Sequence, residues 1–131
     1  MHDKKILIVD DELFVRELIK IKLKLYGFEI IEGSNGLEAI ELAVREKPDL
    51  ILLDLMMPKM DGFEACERLK ADPKTALIPI LILTARGEQA FKEKGEAVGA
   101  VGIVTKPFSP QKLAEMVMDV LNTPKGVRGK D

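Results

Sequence analysis

The stretch Leu50-Ile51-Leu52-Leu53-Asp54 is an unbroken apolar run that ends in a carboxylate. Continuous rather than alternating apolar character is typical of a strand that is covered on both faces, as in a parallel sheet. Three further runs have the same form, and a fourth is more mixed and suits an edge strand. They are residues 6–9 before Asp10, residues 80–83 before Thr84, residues 103–105 before Lys106, and the mixed run 28–31.

Helical periodicity fills the gaps between these strands. An apolar stripe of Phe14, Leu18, Ile21 and Leu25 predicts an amphipathic helix that stops at Gly27. Shorter patterns predict helices around residues 37–44, 63–69 and 113–121, while the Lys- and Glu-rich segment 88–98 predicts a weakly anchored fourth helix. Five rounds of strand then helix predict an α/β fold, namely a doubly wound five-stranded parallel sheet with five helices.

Length and composition indicate one domain with ordinary globular character. The chain has 131 residues, of which 47% are hydrophobic and 32% are charged, and its net charge is -2. We expect one domain over residues 1–123 and a flexible, locally basic tail over residues 124–131. A duplex-DNA binder usually presents a basic face, so no nucleic-acid partner is expected.

No apolar stretch is long enough for a signal peptide or a membrane span, so we expect a soluble cytoplasmic protein without a membrane partner. The single cysteine, Cys66, lies on an apolar helix stripe and excludes an internal disulfide. We interpret it as a small core residue rather than a nucleophile.

Five residues with reactive side chains follow the strands directly. They are Asp10, Asp11, Asp54, Thr84 and Lys106. In open α/β sheets the ligand site lies beyond the carboxyl ends of the strands, so this topology brings the five residues together. Each residue alone has an ordinary structural explanation, such as a helix cap or a surface charge. Their joint placement at one sheet edge predicts a site.

The chemistry of this set favours phosphoryl transfer. Three carboxylates in one crevice repel one another unless a cation intervenes, and Mg²⁺ suits carboxylate and phosphate oxygens. Thr84 adds a hydroxyl, and Lys106 adds a positive charge of the kind that meets a phosphate. An aspartate can accept the phosphoryl group as an acyl phosphate. We choose Asp54, because it stands alone while Asp10 and Asp11 are adjacent and suit a metal-holding pair.

The pattern resembles the receiver domain of two-component response regulators, including the single-domain chemotaxis type, over nearly the whole chain. The resemblance also implies the flavodoxin-like (βα)5 arrangement. The stretches that carry the resemblance are Ile8-Val9-Asp10-Asp11-Glu12, Asp54-Leu55-Met56-Met57-Pro58, Met60-Asp61-Gly62, Leu83-Thr84-Ala85 and Thr105-Lys106-Pro107-Phe108.

The resemblance implies a role for each matching position. Asp54 is expected to take its phosphoryl group from a histidine kinase or a phosphotransfer protein. Asp10, Asp11 and Asp54 are expected to hold Mg²⁺ together with the backbone carbonyl of Met56. Thr84 and Lys106 are expected to meet the phosphoryl group. The Lys106-Pro107 bond is expected to be cis, as the family usually has it.

The resemblance also implies how the signal leaves the domain. A downstream protein is expected to contact the fourth helix, the last strand and the last helix. Residues 100–102 and 111–116 lack most of the charged network through which many DNA-binding regulators dimerise, so we expect a monomer, although other dimers stay open.

Two other functions stay open. The first is a receiver-like scaffold that is never phosphorylated, which usually loses one of the acidic, Thr or Lys positions. The second is an aspartyl-phosphate phosphohydrolase. Such enzymes usually have an Asp-x-Asp pair, which Asp54-Leu55-Met56 does not supply. The prediction is therefore a phosphorylation switch rather than an enzyme that turns over outside substrates.

Overall fold

The computed structural model describes residues 4–57, 59–85 and 98–122. Five parallel strands form one sheet: β1 (Lys5–Val9), β2 (Glu29–Gly33), β3 (Leu50–Asp54), β4 (Ile80–Thr84) and β5 (Gly102–Thr105). Their order in the sheet is β2-β1-β3-β4-β5, so the mixed strand lies at an edge, as predicted, and the strand that carries Asp54 is central.

Four helices lie in the described part of the chain, and they correspond to the first, second, third and fifth predicted helices. They are α1 (Leu13–Leu25), α2 (Gly36–Glu46), α3 (Gly62–Ala71) and α4 (Pro110–Leu121). The predicted fourth helix over residues 88–98 and the predicted tail fall, apart from Val98, outside the described residues. No helix within the described ranges is long and apolar enough to cross a membrane.

Side chains cap the N-termini of three helices. Asn35, Asp61 and Ser109 each accept a hydrogen bond from the backbone N–H three residues later, at 2.9, 2.9 and 3.2 Å. A side-chain oxygen in this position satisfies one of the N–H groups that the first helical turn leaves without an intrahelical partner. These caps fix where α2, α3 and α4 begin.

Two apolar cores cover the two faces of the sheet. Successive residues of β1 alternate between them, since Leu7 and Val9 face α2 and α3 while Ile6 and Ile8 face α1 and α4. This arrangement confirms the doubly wound sheet. Cys66 is fully buried in the first core, its thiol donates to the carbonyl oxygen of Val98 at 3.4 Å, and burial raises its pKa to about 11. It is a core residue, as its position on the stripe suggests.

The face of helix α1 that packs on the sheet is not the apolar stripe from which the sequence predicts the helix. Ile19 and Leu23 are buried, whereas Phe14 and Leu25 are each 75% exposed and Ile21 is 61% exposed. The helix is confirmed, but the stripe that predicted it faces outward. Because α1 is apolar around much of its circumference, periodicity reveals the helix without deciding which stripe packs on the sheet.

Gly62 lets α3 begin directly against the end of β3. A Cβ atom at this position would overlap the carbonyl oxygen of Asp54 and lie 2.9 Å from the Cα of Leu55. The backbone N–H of Gly62 also donates to the carbonyl of Leu55 at 2.9 Å. Both neighbours are backbone atoms that cannot move aside cheaply, so only glycine fits here. The Asp61-Gly62 pair therefore closes the loop that follows Asp54.

Candidate functional site

Four of the strands carry the predicted site residues at their carboxyl ends, which lie at the same end of the sheet. Asp54 and Thr84 are the last residues of β3 and β4, while Asp10 and Lys106 directly follow β1 and β5. The register places Val9 beside Leu53, Asp54 beside Leu83, and Thr84 beside Thr105. Parallel pairing thus aligns the ends of neighbouring strands within one residue, so these residues lie at the same end of the sheet.

Three carboxylates form the acidic part of the site. Asp10, Asp11 and Asp54 each offer one carboxylate oxygen, and these oxygens all lie within 4.8 Å of one another. Asp10 is 0% and Asp54 4% exposed, whereas Asp11 is exposed to solvent. Two buried carboxylates at this distance repel each other strongly because little water lies between them.

Lys106 supplies a positive charge to this cluster. Its Nζ lies 2.8 Å from Oδ2 of Asp10 and 3.2 Å from Oδ1 of Asp54, and 3.7 Å from Oε1 of the exposed Glu12. Its backbone N–H donates to the carbonyl of Thr84 at 2.8 Å, and the Lys106-Pro107 peptide bond is cis. One lysine therefore bridges the two buried carboxylates across the ends of β1 and β3.

The pKa values show that one lysine does not fully compensate the cluster. Burial, and then the charge of Asp10, raise the pKa of Asp54 from 3.8 to about 6, against the opposing effect of Lys106. Burial disfavours the charged form of Lys106, but its hydrogen bond to Asp10 and the charge of Asp54 raise its pKa overall. Lys106 alone therefore does not fully compensate the ionised form of Asp54.

The donor set fits a hard divalent cation. All three groups in the cluster are carboxylates, and neither His nor Cys takes part in it. By formal charge, three carboxylates and Lys106 leave two negative charges, which one Mg²⁺ ion would balance. Mg²⁺ prefers one or two protein carboxylates with water and phosphate oxygens completing its shell. The carbonyl of Met56, whose side chain is exposed, remains a predicted ligand.

Thr84 lies where the sequence predicts it, buried at the end of β4 and 1% exposed. Its carbonyl is tied to the backbone N–H of Lys106. The structure thus brings together Asp10, Asp11, Asp54 and Lys106 as a contacting group, with Thr84 on the adjoining strand end.

Two residues that the sequence analysis missed support this site. Arg16 donates from Nη1 to the carbonyl oxygen of Asp10 at 2.7 Å and from Nε to Glu32 at 3.0 Å. Arg16 lies on α1, six positions after Asp10, while Glu32 lies on β2. Packing of α1 on the sheet brings the two charges together, so spacing along the chain carries no signal for them.

Two apolar grooves border the site on either side of Pro107 and Phe108. The first, of about 360 Å³, lies between α1 and the loop after β5, and is lined by Phe14, Val15, Leu18, Ala85, Lys106, Pro107 and Phe108. The second, of about 400 Å³, lies between β5 and α4 and is lined in part by Ile103, Lys112 and Met116. Lys106 lines the first groove as well as contacting Asp54.

Comparison with known proteins gives consistent matches. The family model described as "Response regulator receiver domain" matches residues 6–118. The phosphate regulon transcriptional regulatory protein PhoB of Pseudomonas aeruginosa is 48% identical over 121 residues, which are 92% of this chain and 53% of PhoB. The transcriptional regulator PhoP of Bacillus subtilis is 44% identical over 119 residues, 91% of this chain and 49% of PhoP. The chain spans about half the length of the curated relatives it matches.

Solved structures of similar shape include a response regulator and a receiver domain. The chemotaxis response regulator CheY4 of Vibrio cholerae has a TM-score of 0.84 and 34% identity, covering 89% of this chain and 98% of CheY4. The receiver domain of sensor histidine kinase PA1611 from Pseudomonas aeruginosa has a TM-score of 0.85 and 26% identity, covering 93% of this chain and 100% of that domain. Its structure has a magnesium ion coordinated in the active site cleft.

Proposed function

This chain belongs to the receiver domain family of response regulators, and we propose that its Asp54 accepts a phosphoryl group from a histidine kinase or a phosphotransfer protein in a Mg²⁺-dependent reaction. One observation carries the proposal: Lys106 bridges Asp10 and the nearly buried Asp54 inside a three-carboxylate cluster. Receiver domains are signalling switches rather than conventional enzymes, and the modified domain would change its affinity for a partner protein.

The reaction needs an ionised Asp54. With a pKa of about 6, its carboxylate is mostly ionised at neutral pH. One carboxylate oxygen attacks the phosphorus atom of the phosphohistidine, the P–N bond breaks, and the imidazole nitrogen keeps the bonding electron pair. The product is an acyl phosphate on Asp54.

The neighbouring residues position and neutralise the phosphoryl group. Phosphoryl transfer depends mostly on alignment and on neutralising the charge of the moving oxygens. Lys106 Nζ, already 3.2 Å from Asp54, would follow these oxygens, and the Thr84 hydroxyl would donate to one of them. Asp10, Asp11, Asp54 and the Met56 carbonyl would hold Mg²⁺. Bound there, the cation would neutralise phosphoryl oxygens that the protein alone leaves uncompensated.

Incubation with acetyl phosphate tests this function. We expect intact-mass measurement to show one added phosphoryl group with Mg²⁺ and none when the metal is chelated, and peptide mapping to place the group on Asp54. If neither this adduct nor the Mg²⁺-dependent beryllofluoride complex forms, the protein is instead the receiver-like scaffold that is never phosphorylated. Repeated release of phosphate from simple phosphate esters would instead indicate the phosphohydrolase.

The first groove is the place where we propose that the phosphodonor protein docks. Its walls are mostly apolar, and Phe14 is 75% exposed there. The groove shares Lys106 with the acceptor site, so a protein seated on it is next to Asp54. Exposed aromatic side chains beside a pocket are common anchors of protein interfaces.

Substitution in α1 tests this docking surface. We expect Phe14→Ala to slow phosphotransfer from a phosphohistidine protein about tenfold or more, because an aromatic anchor is lost, and to leave labelling by acetyl phosphate unchanged. Leu25→Ala is the matched control, since Leu25 is equally exposed on α1 but lies outside the groove. The donor is the phosphohistidine protein that labels the wild-type chain fastest in a screen. Equal transfer rates for the two variants would contradict the proposal.

The output surface is a separate part of the proposal. The second groove joins β5 to α4, which are two of the three elements that the family resemblance assigns to the downstream partner. The third, the predicted helix over residues 88–98, lies almost wholly outside the described part of the chain. We further propose that the protein is a cytoplasmic monomer that binds neither nucleic acid nor a membrane.

A further inference from the structure

Asp10 is held from four directions. Its backbone N–H donates to the carbonyl of Gly33 at 3.2 Å, and its Oδ1 accepts from the backbone N–H of Glu12 at 2.9 Å. Its Oδ2 faces Lys106, and its carbonyl oxygen accepts from Nη1 of Arg16 at 2.7 Å. The contact with Arg16 differs from the others because it is made to the peptide group that links Asp10 to Asp11.

The orientation of that peptide decides where the second carboxylate projects. A peptide group is planar, so fixing its carbonyl oxygen also fixes the direction of the next N–H and Cα. Asp11 is exposed and lies in the cluster only if its backbone is aimed correctly. A hydrogen bond from a charged guanidinium is short and strong compared with one between neutral groups. Arg16 is therefore placed to set the geometry between Asp10 and Asp11.

Arg16 is itself anchored on the sheet. Its Nε lies 3.0 Å from Oε1 of Glu32, and its side chain is only 16% exposed. Lys20 occupies the other oxygen of Glu32 at 2.9 Å. Although burial opposes it, the hydrogen bonds from Lys20 and Arg16 lower the pKa of Glu32, so this anchor stays ionised at neutral pH. Glu32 pairs with Ile8 in the strand register, which ties the guanidinium to the same sheet that carries Asp10.

We propose that Arg16 is a positioning residue for the cation site: it orients the peptide between Asp10 and Asp11, and Glu32 holds its guanidinium in place. The inference rests on the proposed function, because the cation is the one that phosphoryl transfer requires. Groups that orient metal ligands without touching the metal commonly change metal affinity by about 10- to 100-fold when they are removed.

Loss of the charge of Arg16 and loss of its positioning contact would change the Mg²⁺ affinity in opposite directions, which makes the role testable. Arg16 is a cation near three carboxylates, so removing its charge alone would tighten Mg²⁺ binding. Removing a positioning contact would weaken it. Lys20 is the matched control, since it forms an ion pair with the same Glu32. Among the interactions of the residues that the structure describes, it contacts neither Asp10 nor the rest of the carboxylate cluster.

The experiment titrates the wild-type chain, Arg16→Met and Lys20→Met with Mg²⁺. Binding is monitored through the amide chemical shifts of residues 9–12 and 53–57. We expect Arg16→Met to bind Mg²⁺ about tenfold more weakly, and Lys20→Met to bind as tightly as the wild type or slightly more tightly. Equal affinities for Arg16→Met and Lys20→Met would overturn the inference, as would tighter binding by Arg16→Met.

A second variant keeps the inference testable if Arg16→Met does not fold. Arg16→Lys keeps the charge but lacks the planar fork that reaches Glu32 and the Asp10 carbonyl together, so we expect weakened Mg²⁺ binding with little loss of stability. Unchanged affinity in this variant would overturn the inference. Absence of Mg²⁺ binding by the wild-type chain would contradict the proposed function instead, so the two failures are distinguishable.

Discussion

Replacing Asp54 with asparagine is expected to abolish the phosphoryl adduct completely and, without Mg²⁺, to raise the free energy of unfolding at neutral pH. The adduct is lost because an amide oxygen cannot form the acyl phosphate. Stability rises because the wild-type protein buries an ionised carboxylate beside Asp10 and near the charge of Asp11, and Lys106 compensates it only in part. Asparagine keeps the shape and carries no charge.

The pKa of Asp54 sets the pH window of this effect. Its value in the folded protein, about 6, lies above the ordinary value of 3.8, so the folded state holds the proton more tightly than the unfolded chain does. Ionisation of Asp54 therefore lowers the stability of the wild-type protein, relative to the variant, as the pH rises from about 4 to about 6, by on the order of 2–3 kcal/mol. Above that window the loss is complete and constant.

Urea denaturation between pH 4 and pH 8, in a chelating buffer, measures this difference. We expect Asp54→Asn and the wild-type protein to have similar stability near pH 4 and to diverge through the window, with the variant more stable at pH 7. Added Mg²⁺ should narrow the gap, because a ligand that binds only the folded state stabilises it. A variant that is less stable than wild type at pH 7 would show that the carboxylate contributes more through Lys106 than it costs by burial.

Replacing Lys106 with methionine is the second change with a large expected effect. Asp10 and Asp54 would then face each other without the ammonium that now lies 2.8 and 3.2 Å from them. We expect a stability loss of about 2 kcal/mol or more at neutral pH without Mg²⁺, because one partner of a buried charge pair is removed. The rate of labelling by acetyl phosphate should fall about 100-fold or more, as the charge that stabilises the transferring group is lost.

Lys112→Met is the matched control for this change. Lys112 is an exposed lysine on α4 that lines the second groove, so its removal changes the net charge equally without touching the cluster. We expect it to change stability by no more than about 0.5 kcal/mol and to leave the labelling rate unchanged. Labelling rates and urea midpoints measured side by side give the comparison. Similar results for both variants would mean that net charge, rather than the contact with Asp54, explains the effect.

The strands and the residues at their ends follow from features that are local in the sequence. Each buried strand is a continuous apolar run, since a strand covered on both faces tolerates no polar position before its carboxyl end. Asp10, Asp54 and Thr84 mark those ends. Because parallel strands linked by helices all point the same way, the residues that follow them must meet at one end of the sheet. The contacts of Lys106 with Asp10 and Asp54 agree with that expectation.

Other features depend on contacts between residues that are far apart in the chain. Two apolar stripes run along α1, and only packing decides that Ile19 and Leu23 face the sheet while Phe14 and Leu25 face outward. Exposure of Phe14, in turn, creates the groove beside Lys106. The sequence contains both stripes, but their energetic difference arises from the shape of the sheet and of α4, which local periodicity does not encode.

The sequence by itself therefore determined the five strands, four of the helices and the identity of the residues at the strand ends, because apolar runs and helical spacing are properties of neighbouring residues. The tertiary structure alone decided which face of α1 is exposed, that Arg16 reaches the Asp10 carbonyl and Glu32, and how far burial raises the pKa of Asp54. Each of these depends on distances between separate elements, and those distances exist only once the helices have packed on the sheet.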